Sequence, residues 1–239
     1  MASGNLKNFS GKIAHVIGYQ LHGEQRLRSM PRSMHQTKAT RQSGRLFGKA
    51  SGIAAAFRHE LLQMIPYPSD LKMQTRLTSA IYKWLKENAL NIPFVASHLP
   101  FIEGYQFTEE GYTLAERMRL PFEIIQPGEG LLQINIPSFI PTESIIAPTG
   151  TVSVECHLAA VNCLLDHPEI PASASTVVNF DFNDNRIDEQ SISLSLPTPS
   201  GSLLITVVSL KYVVLTYDGL QASRAKGFMP AAIVSAMSL

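Results

Sequence analysis

Apolar side chains between residues 38 and 65 recur every three or four positions, which is the spacing of one buried helical face. The stretch reads KATRQSGRLFGKASGIAAAFRHELLQMI. A second helix is predicted from Ser69, a favourable N-cap, to about Leu90. Because only Pro66, Tyr67 and Pro68 separate them, we expect the two helices to form an antiparallel pair. The apolar positions of the first helix are Leu46, Phe47, Ala50, Ile53, Ala54, Phe57, Leu61 and Ile65.

Strand patterns lie on both sides of this helical region. Residues 11–29 predict a hairpin, with strands at 13–21 and 25–29 joined by a turn at His22 and Gly23. From residue 92 onward prolines recur, and short apolar or alternating runs lie between them. Strands at this spacing are typical of a β-sandwich. The predicted strands cover 122–125, 131–136, 151–160, 176–183, 191–196, 203–217 and 231–237.

These patterns predict an α+β fold, in which an N-terminal hairpin and an antiparallel helix pair precede an Ig-like antiparallel β-sandwich. The length of 239 residues suits one large domain or two modest ones. A short helix is expected around 108–118. The predicted divisions are a basic hairpin and helical region at 1–91, a connecting segment at 92–120 and a β-sandwich domain at 121–239.

Glycines recur every four residues on the first predicted helix, at Gly44, Gly48 and Gly52. Each glycine costs a helix about 1 kcal/mol relative to alanine, so three of them require an offsetting gain. One interpretation is a smooth groove for close helix packing, as small residues provide in membrane helices. The alternative is that the glycines end the helix, or that the helix begins near Gly52.

Charges are distributed unevenly along the chain, although the formal net charge is only +1. Residues 1–60 carry ten Lys or Arg against two Asp or Glu, whereas residues 120–239 carry four against eleven. This asymmetry favours an anionic partner for the front of the chain. The acidic back half of the same chain, that of another copy, a protein partner and a nucleic acid are the alternatives. The residues selected for binding are Arg26, Arg28, Arg32, Lys38, Arg41, Arg45 and Lys49.

The composition is that of a folded protein, with 45% hydrophobic residues and a mean hydropathy of +0.05. Two cysteines cannot build a disulfide framework, which favours a reducing compartment. The N-terminus lacks the apolar core of a signal peptide, and no apolar run is long enough to span a membrane. We therefore expect a cytoplasmic protein, or one that belongs to an exported or virion-like assembly.

Two clusters of potential metal ligands have a more ordinary interpretation. Cys156, His157, Cys163 and His167 offer two thiolates and two imidazoles, but Cys156 and His157 point to opposite faces of a strand. The polar run around Arg186 resembles a calcium loop, yet Arg186 stands where such a loop needs glycine. Buried structural cysteines and a polar turn are therefore expected, and no metal or cofactor is predicted.

Two stretches, residues 11–31 with a central Gly-Tyr and residues 203–234 with a Tyr-Asp-Gly turn, resemble an uncharacterised bacterial family of domains of unknown function. The segment GKIAHVIGYQLHGEQRLRSMP, residues 11–31, resembles the hairpin that opens those proteins, with Gly-Tyr at its centre and Arg-Ser-x-Pro at its end. Residues 203–234 resemble their last part, where a long apolar strand meets a Tyr-Asp-Gly turn. The resemblance covers under half of the chain and departs at residues 35–40, which replace the usual Asn-Pro-Arg-Thr. It implies a helical front and an Ig-like β-domain, and it implies no activity.

The sequence leaves three functional classes open. No phosphate loop, nucleophile elbow or zinc-protease motif occurs in it, so a non-enzymatic structural or interaction protein is the leading hypothesis. Its basic front would associate with an acidic surface on another copy or on a partner, as in a phage-derived or secretion-associated assembly. The first alternative is a nucleic-acid-binding module that uses the same basic residues. The second is an enzyme with a site assembled from distant residues.

Overall fold

The computed structural model describes residues 10–30, 36–66, 72–88, 102–108, 111–128, 130–223 and 225–239. Helices and antiparallel sheets are both present, which confirms the α+β class. The chain divides into two compact units, Met1–Gly44 and Arg45–Leu239. The elements in chain order are β1 (Gly11–Ile13), β2 (Val16–Leu21), β3 (Glu24–Ser29), α1 (Lys38–Met64), α2 (Met73–Asn88), α3 (Leu114–Arg117), β4 (Glu123–Gly128), β5 (Leu131–Ile136), α4 (Pro141–Ser144), β6 (Thr151–Leu164), β7 (Ala172–Asp181), β8 (Gln190–Ser195), β9 (Ser202–Thr216), β10 (Gly219–Ala222), a 3₁₀ turn (Lys226–Phe228) and β11 (Ala231–Ser238).

The first three strands form a small antiparallel sheet in the order β1-β2-β3. The predicted hairpin is confirmed, because β2 pairs with β3 around His22 and Gly23, whose φ angles are 53° and 82°. Positive φ at both residues fits a two-residue turn that matches the twist of the flanking strands. The added strand β1, which the sequence pattern did not predict, pairs with the start of β2.

The helix α1 begins after Thr37, whose hydroxyl accepts a hydrogen bond from the Thr40 amide at 3.1 Å. This N-cap explains the start at Lys38 and contradicts the alternative start near Gly52. The predicted second helix corresponds to α2, while its predicted N-cap, Ser69, lies outside the described residues. None of the described helices combines the length and apolar character that crossing a membrane requires.

The second unit is built on a five-stranded antiparallel sheet in which β9 pairs with β6, β10 and β11, and β7 pairs with β6. This large sheet curls into a half-barrel. The two longest strands, β6 and β9, are buried along most of their length on both faces. Burial on both faces accounts for their nearly continuous apolar sequences. A smaller sheet has the order β4-β5-β8.

Two hydrophobic cores lie on opposite faces of the large sheet, because successive residues of a strand point to opposite sides. Ile205 and Val207 of β9 pack with the buried faces of α1 and α2. Leu204 and Val208 pack instead with the smaller sheet. The second unit therefore has three layers, which are the helices, the large sheet and the small sheet.

The helices share a core with the sheets of the second unit. Ile53, Phe57 and Leu61 of α1 are buried in the same cluster as the strand residues. The compact units divide after Gly44, and the predicted domain boundaries at residues 91 and 120 stay a prediction. The two antiparallel sheets do pack together, but the Ig-like topology is not confirmed, because the larger sheet is curled and carries helices on its other face.

Candidate functional site

The basic residues selected from the sequence lie mainly on α1 and β3. On α1, Lys38, Arg41 and Arg45 are exposed, and their spacing of three and four residues places them on one side of the helix. Within the described part of the chain, none of their side chains forms a hydrogen bond or an ion pair. We call these three residues the basic face of α1, and their charges are available to a partner.

Lys49, the fourth selected residue on α1, is instead half-buried. Its Nζ lies 3.4 Å from Oδ1 of Asp166, and the Asp166 side chain is 94% exposed. Water screens such a pair, which contributes roughly 0.2–1 kcal/mol. Of the selected residues that the structure describes, Lys49 is therefore the one that pairs with a carboxylate from the acidic half of the chain.

Arg26 and Arg28 are exposed on β3, at alternate positions of the strand. Nη2 of Arg26 donates to Oε2 of Glu24 at 3.3 Å. The guanidinium carbon of Arg28 lies 6.0 Å from the centre of the Tyr19 ring, at the outer limit of a cation–π contact. Arg32 lies outside the described residues. The hairpin thus holds two of the predicted cations on one strand.

The register of the first sheet gathers cations and an aromatic ring on one face. β1 pairs Lys12 with Ile17, while β2 pairs Ile17 with Arg28 and Tyr19 with Arg26. Directly paired residues share a face of the sheet, so all five side chains lie together. We call this the basic-aromatic face. Lys12 is not among the cations selected from the sequence, although strand alternation across the predicted hairpin would have indicated it.

The surroundings of the three glycines differ from the predicted helix groove. A Cβ atom built on Gly44 or Gly48 would meet no described atom within 4 Å. At Gly52 the neighbour is Pro168, whose Cγ lies 3.0 Å from such a Cβ atom. Pro168 follows β6 and does not belong to α2. Close helix packing at these glycines therefore finds no partner helix among the described residues, and the apolar face of α1 provides its packing instead.

Both cysteines are free and buried, as the sequence analysis expected. Cys156 packs in the core shared with the small sheet, and Cys163 packs in the core shared with the helices. Burial raises the pKa of each thiol to about 12, which disfavours the thiolate that a metal needs. Because the sheet separates them, the two sulfur atoms cannot bind one ion. The described residues contain no group of three or more potential metal ligands.

The polar run after β7 forms an exposed acidic turn, which confirms the predicted polar turn. The Asn183 amide donates to Oδ1 of Asp181 at 2.9 Å, closing an Asx turn. Nη2 of Arg186 donates to the Ser138 hydroxyl at 2.8 Å, so the Arg186 side chain is bound to Ser138. We call the exposed carboxylates of this turn the acidic loop, and they are Asp181, Asp184, Asp188 and Glu189.

A polar network that the sequence analysis did not select lies on β6 and β9. The strand register sets Glu155 opposite Lys211 and His157 opposite Ser209. Nζ of Lys211 donates to both carboxylate oxygens of Glu155, at 3.0 and 2.8 Å, and Nε2 of His157 donates to Oε2 at 3.2 Å. The Ser209 hydroxyl donates to the carbonyl of Pro66. The serine is therefore bound to a carbonyl and is not activated by the imidazole.

The pKa values of this network follow from burial and hydrogen bonding. Burial by itself raises the pKa of Glu155, but hydrogen bonds from Lys211 and His157 outweigh it, so the pKa lies below its ordinary value. Burial lowers the pKa of His157, and the attraction of Glu155 offsets this only in part. At neutral pH the network therefore joins a carboxylate to a neutral imidazole. In β6 charged residues alternate with apolar ones, and this pattern would have predicted the polar network.

We expect the free energy of unfolding to decrease in two stages as the pH is lowered from about 7 to about 4. Because the folded-state pKa of His157 lies below the ordinary 6.5, the unfolded chain binds the proton first, and stability is lost as the pH falls below that value. The lowered pKa of Glu155 adds a second loss below the ordinary 4.5. Urea unfolding at a series of pH values measures both stages.

His157→Gln is the control for the first stage, because glutamine keeps a hydrogen-bond donor but does not titrate. The variant should lose less stability than wild type between about pH 7 and about pH 5.5. An identical pH dependence in the two proteins would contradict the role assigned to His157.

Comparison of the chain with protein-family models, with curated proteins and with solved structures finds no match in any of the three. The resemblance of residues 11–31 and 203–234 to a bacterial family therefore stays a prediction. Three surfaces of the described structure are candidates for binding, which are the basic face of α1, the basic-aromatic face and the acidic loop.

Proposed function

We propose that the protein is a non-enzymatic structural or interaction protein whose basic N-terminal region docks on an acidic surface. The observation that carries the proposal is the basic face of α1. Lys38, Arg41 and Arg45 are exposed there and have no side-chain partner in the described structure. Like charges at this helical spacing repel one another, and an acidic partner removes that repulsion. Complementary charge also speeds the encounter and selects the partner.

The first sheet adds an apolar surface to this proposal. Ile13, Val16 and Leu27 share one face by the strand register, and they are 56%, 39% and 64% exposed. Gly18 is the one buried residue within the described segment 10–30. Small sheets gain stability when a hydrophobic face is covered, and exposed apolar patches often mark interaction sites. A partner that covers these side chains would stabilise the sheet.

The acidic loop is the surface of this chain that best complements the basic face of α1. Its four carboxylates are exposed within nine residues, and the one arginine among them donates to Ser138. We propose the acidic loop of a second copy as the partner of the basic face. A basic face that binds an acidic loop on the next copy can build an assembly by repetition.

Reversing the basic face with Lys38→Glu, Arg41→Glu and Arg45→Glu together is expected to weaken self-association roughly tenfold, since each exposed ion pair contributes about 0.2–1 kcal/mol. The helix should persist, because glutamate is a good helix former and a negative charge suits its first turn. Sedimentation velocity at about 50 and about 500 mM salt measures the change. Salt should weaken the association of wild type and have little effect on the variant.

A charge swap tests which surface meets the basic face. Asp184→Lys, Asp188→Lys and Glu189→Lys together should also weaken self-association, because the loop then repels the basic face. Mixing this variant with the basic-face variant should restore association, since helix and loop are again opposite in charge. If wild type sediments as a monomer at low salt and high concentration, the proposal of self-association fails.

Nucleic-acid binding is the second candidate function, and the basic-aromatic face favours it. Lys12, Arg26 and Arg28 can contact phosphates, while the exposed Tyr19 ring offers a stacking surface. A gel shift with a single-stranded oligonucleotide separates the two candidates. A shift at about 50 mM salt that is lost at about 200 mM supports nucleic-acid binding. If low salt produces no shift, this candidate is removed.

The cellular setting and the finer fold are also proposals. Two free, buried cysteines support a reducing compartment such as the cytoplasm. The packing of β4-β5-β8 against the large sheet supports a relationship to Ig-like sandwiches. The helix layer on the other face of the large sheet is an addition to that architecture.

A further inference from the structure

Arg117, at the end of α3, is a buried cation clamped between two aromatic rings. The residue is 5% exposed, and its guanidinium carbon lies 3.9 Å from the centre of the Tyr112 ring and 3.8 Å from that of Phe228. Both ring centres lie within 4 Å of this carbon, so both rings pack closely against the guanidinium. The edge of the guanidinium, which carries the N–H donors, is left for other contacts.

No protein group occupies that edge in the described structure. The side chain of Arg117 forms no hydrogen bond or ion pair there, and its Nε is buried without a partner. The arginine side chain is a planar cation with five N–H donors. Buried charges in folded proteins are normally paired. Among the described residues, no carboxylate forms a hydrogen bond or an ion pair with the Arg117 guanidinium.

Arg117 lines a surface pocket of about 500 Å³. Arg119, which is exposed, supplies a second cation to the same pocket. The one carboxylate in the lining, Glu116, is held by Thr113, whose amide and hydroxyl donate to its Oε2 at 2.7 and 2.8 Å. The described lining residues are Tyr112, Ala115, Glu116, Arg117, Arg119 and Ile146. Among the described lining residues, Arg117 and Arg119 carry two positive charges and Glu116 one negative charge, so the pocket has a net positive charge.

We propose that this pocket binds a small organic carboxylate, whose two oxygens meet the edge of the Arg117 guanidinium while its apolar body lies against Ala115 and Ile146. A carboxylate is planar and accepts two parallel hydrogen bonds from that edge. Arg119 supplies the second positive charge at the pocket mouth. The apolar part of the lining favours an organic acid over inorganic phosphate. The site is separate from the surfaces proposed for docking.

The test uses benzoate as the probe, since it combines a carboxylate with an apolar ring. In an ¹H–¹⁵N correlation spectrum of the full chain, benzoate at millimolar concentration should shift the amides of Tyr112, Ala115 and Ile146 saturably. Benzyl alcohol has a similar size and no charge, and it should leave these amides unchanged. Inorganic phosphate should bind more weakly than benzoate.

Two variants assign the binding to the cations. Arg117→Lys keeps the charge between the rings but removes the planar fork, so benzoate affinity should fall about tenfold or more. Arg119→Met changes an exposed residue, leaves the fold intact and should weaken binding severalfold. Circular dichroism checks that both variants are folded. The proposal is overturned if benzoate causes no saturable shift, if phosphate binds more tightly, or if Arg119→Met binds benzoate as wild type does.

Discussion

Phe57→Ala is expected to lower the free energy of unfolding by about 3–5 kcal/mol, the largest effect of a single substitution that we predict. The Phe57 ring is 1% exposed and lies in the core that joins α1 and α2 to the large sheet. Its removal leaves a cavity that the neighbouring side chains fill only in part. Urea unfolding, followed by circular dichroism and by the fluorescence of Trp84, the one tryptophan, measures the loss.

Phe47→Ala is the matched control, because it makes the same change on the same helix. The Phe47 ring is 56% exposed, and its main aromatic contact is an edge-on approach to Tyr82 at 6.2 Å between ring centres. Its loss should cost at most about 1 kcal/mol.

Hydrogen exchange tests the shared core: in Phe57→Ala the amides of β9 should lose protection along with those of α1. Unchanged protection in β9 would mean that residues 121–239 fold independently, as the sequence pattern predicted.

Local patterns predicted most elements correctly, because short-range chemistry determines where an element begins and ends. The apolar period and the cap at Thr37 define α1, and the strand pattern at 131–136 coincides with β5. The turn between β9 and β10 lies at Tyr217 and Asp218, followed by Gly219 with a φ of 103°. In each case the residues that decide the conformation are neighbours in the sequence.

The layer arrangement could not be predicted in the same way. The nearly continuous apolar sequence of β9 indicates that both faces are covered, but it does not indicate what covers each face. The structure places helices on one face and the small sheet on the other. This arrangement joins helices and strands in one compact unit, Arg45–Leu239. It depends on strand pairings between distant segments, which local periodicity does not contain.

The candidate sites differ in the same way in how far the sequence alone predicts them. Clustered charges within one helix, such as Arg41 and Arg45, are visible in the sequence because helical spacing alone brings them together. Arg117 is one basic residue in a segment where acidic and basic residues balance, and nothing local distinguishes it. Only the tertiary structure brings Phe228 and Tyr112 together against Arg117. A site of that kind depends on contacts between remote residues.

Gly111→Ala is expected to lower the free energy of unfolding by about 2–4 kcal/mol, because it combines backbone strain with a clash. Gly111 has a φ of +105°, a conformation that a side chain disfavours. A Cβ atom there would lie 2.7 Å from Cα of Gly227, so one of the two backbones must move. Tyr112 and Phe228 directly follow these two glycines, and their rings pack against Arg117. Separating the two backbones should therefore also weaken the packing of the two rings against Arg117.

Gly104→Ala is the matched control, because its φ is +78° and a Cβ atom there would meet no described atom within 4 Å. Strain without a clash should cost about 1 kcal/mol. Urea unfolding of both variants measures the difference in stability. Benzoate titration adds a readout of the packing against Arg117, since Gly111→Ala should weaken binding while Gly104→Ala leaves it unchanged. Equal stability losses in the two variants would contradict a rigid contact between the Gly111 and Gly227 backbones, because a segment free to shift would accept the methyl group at the cost of strain alone.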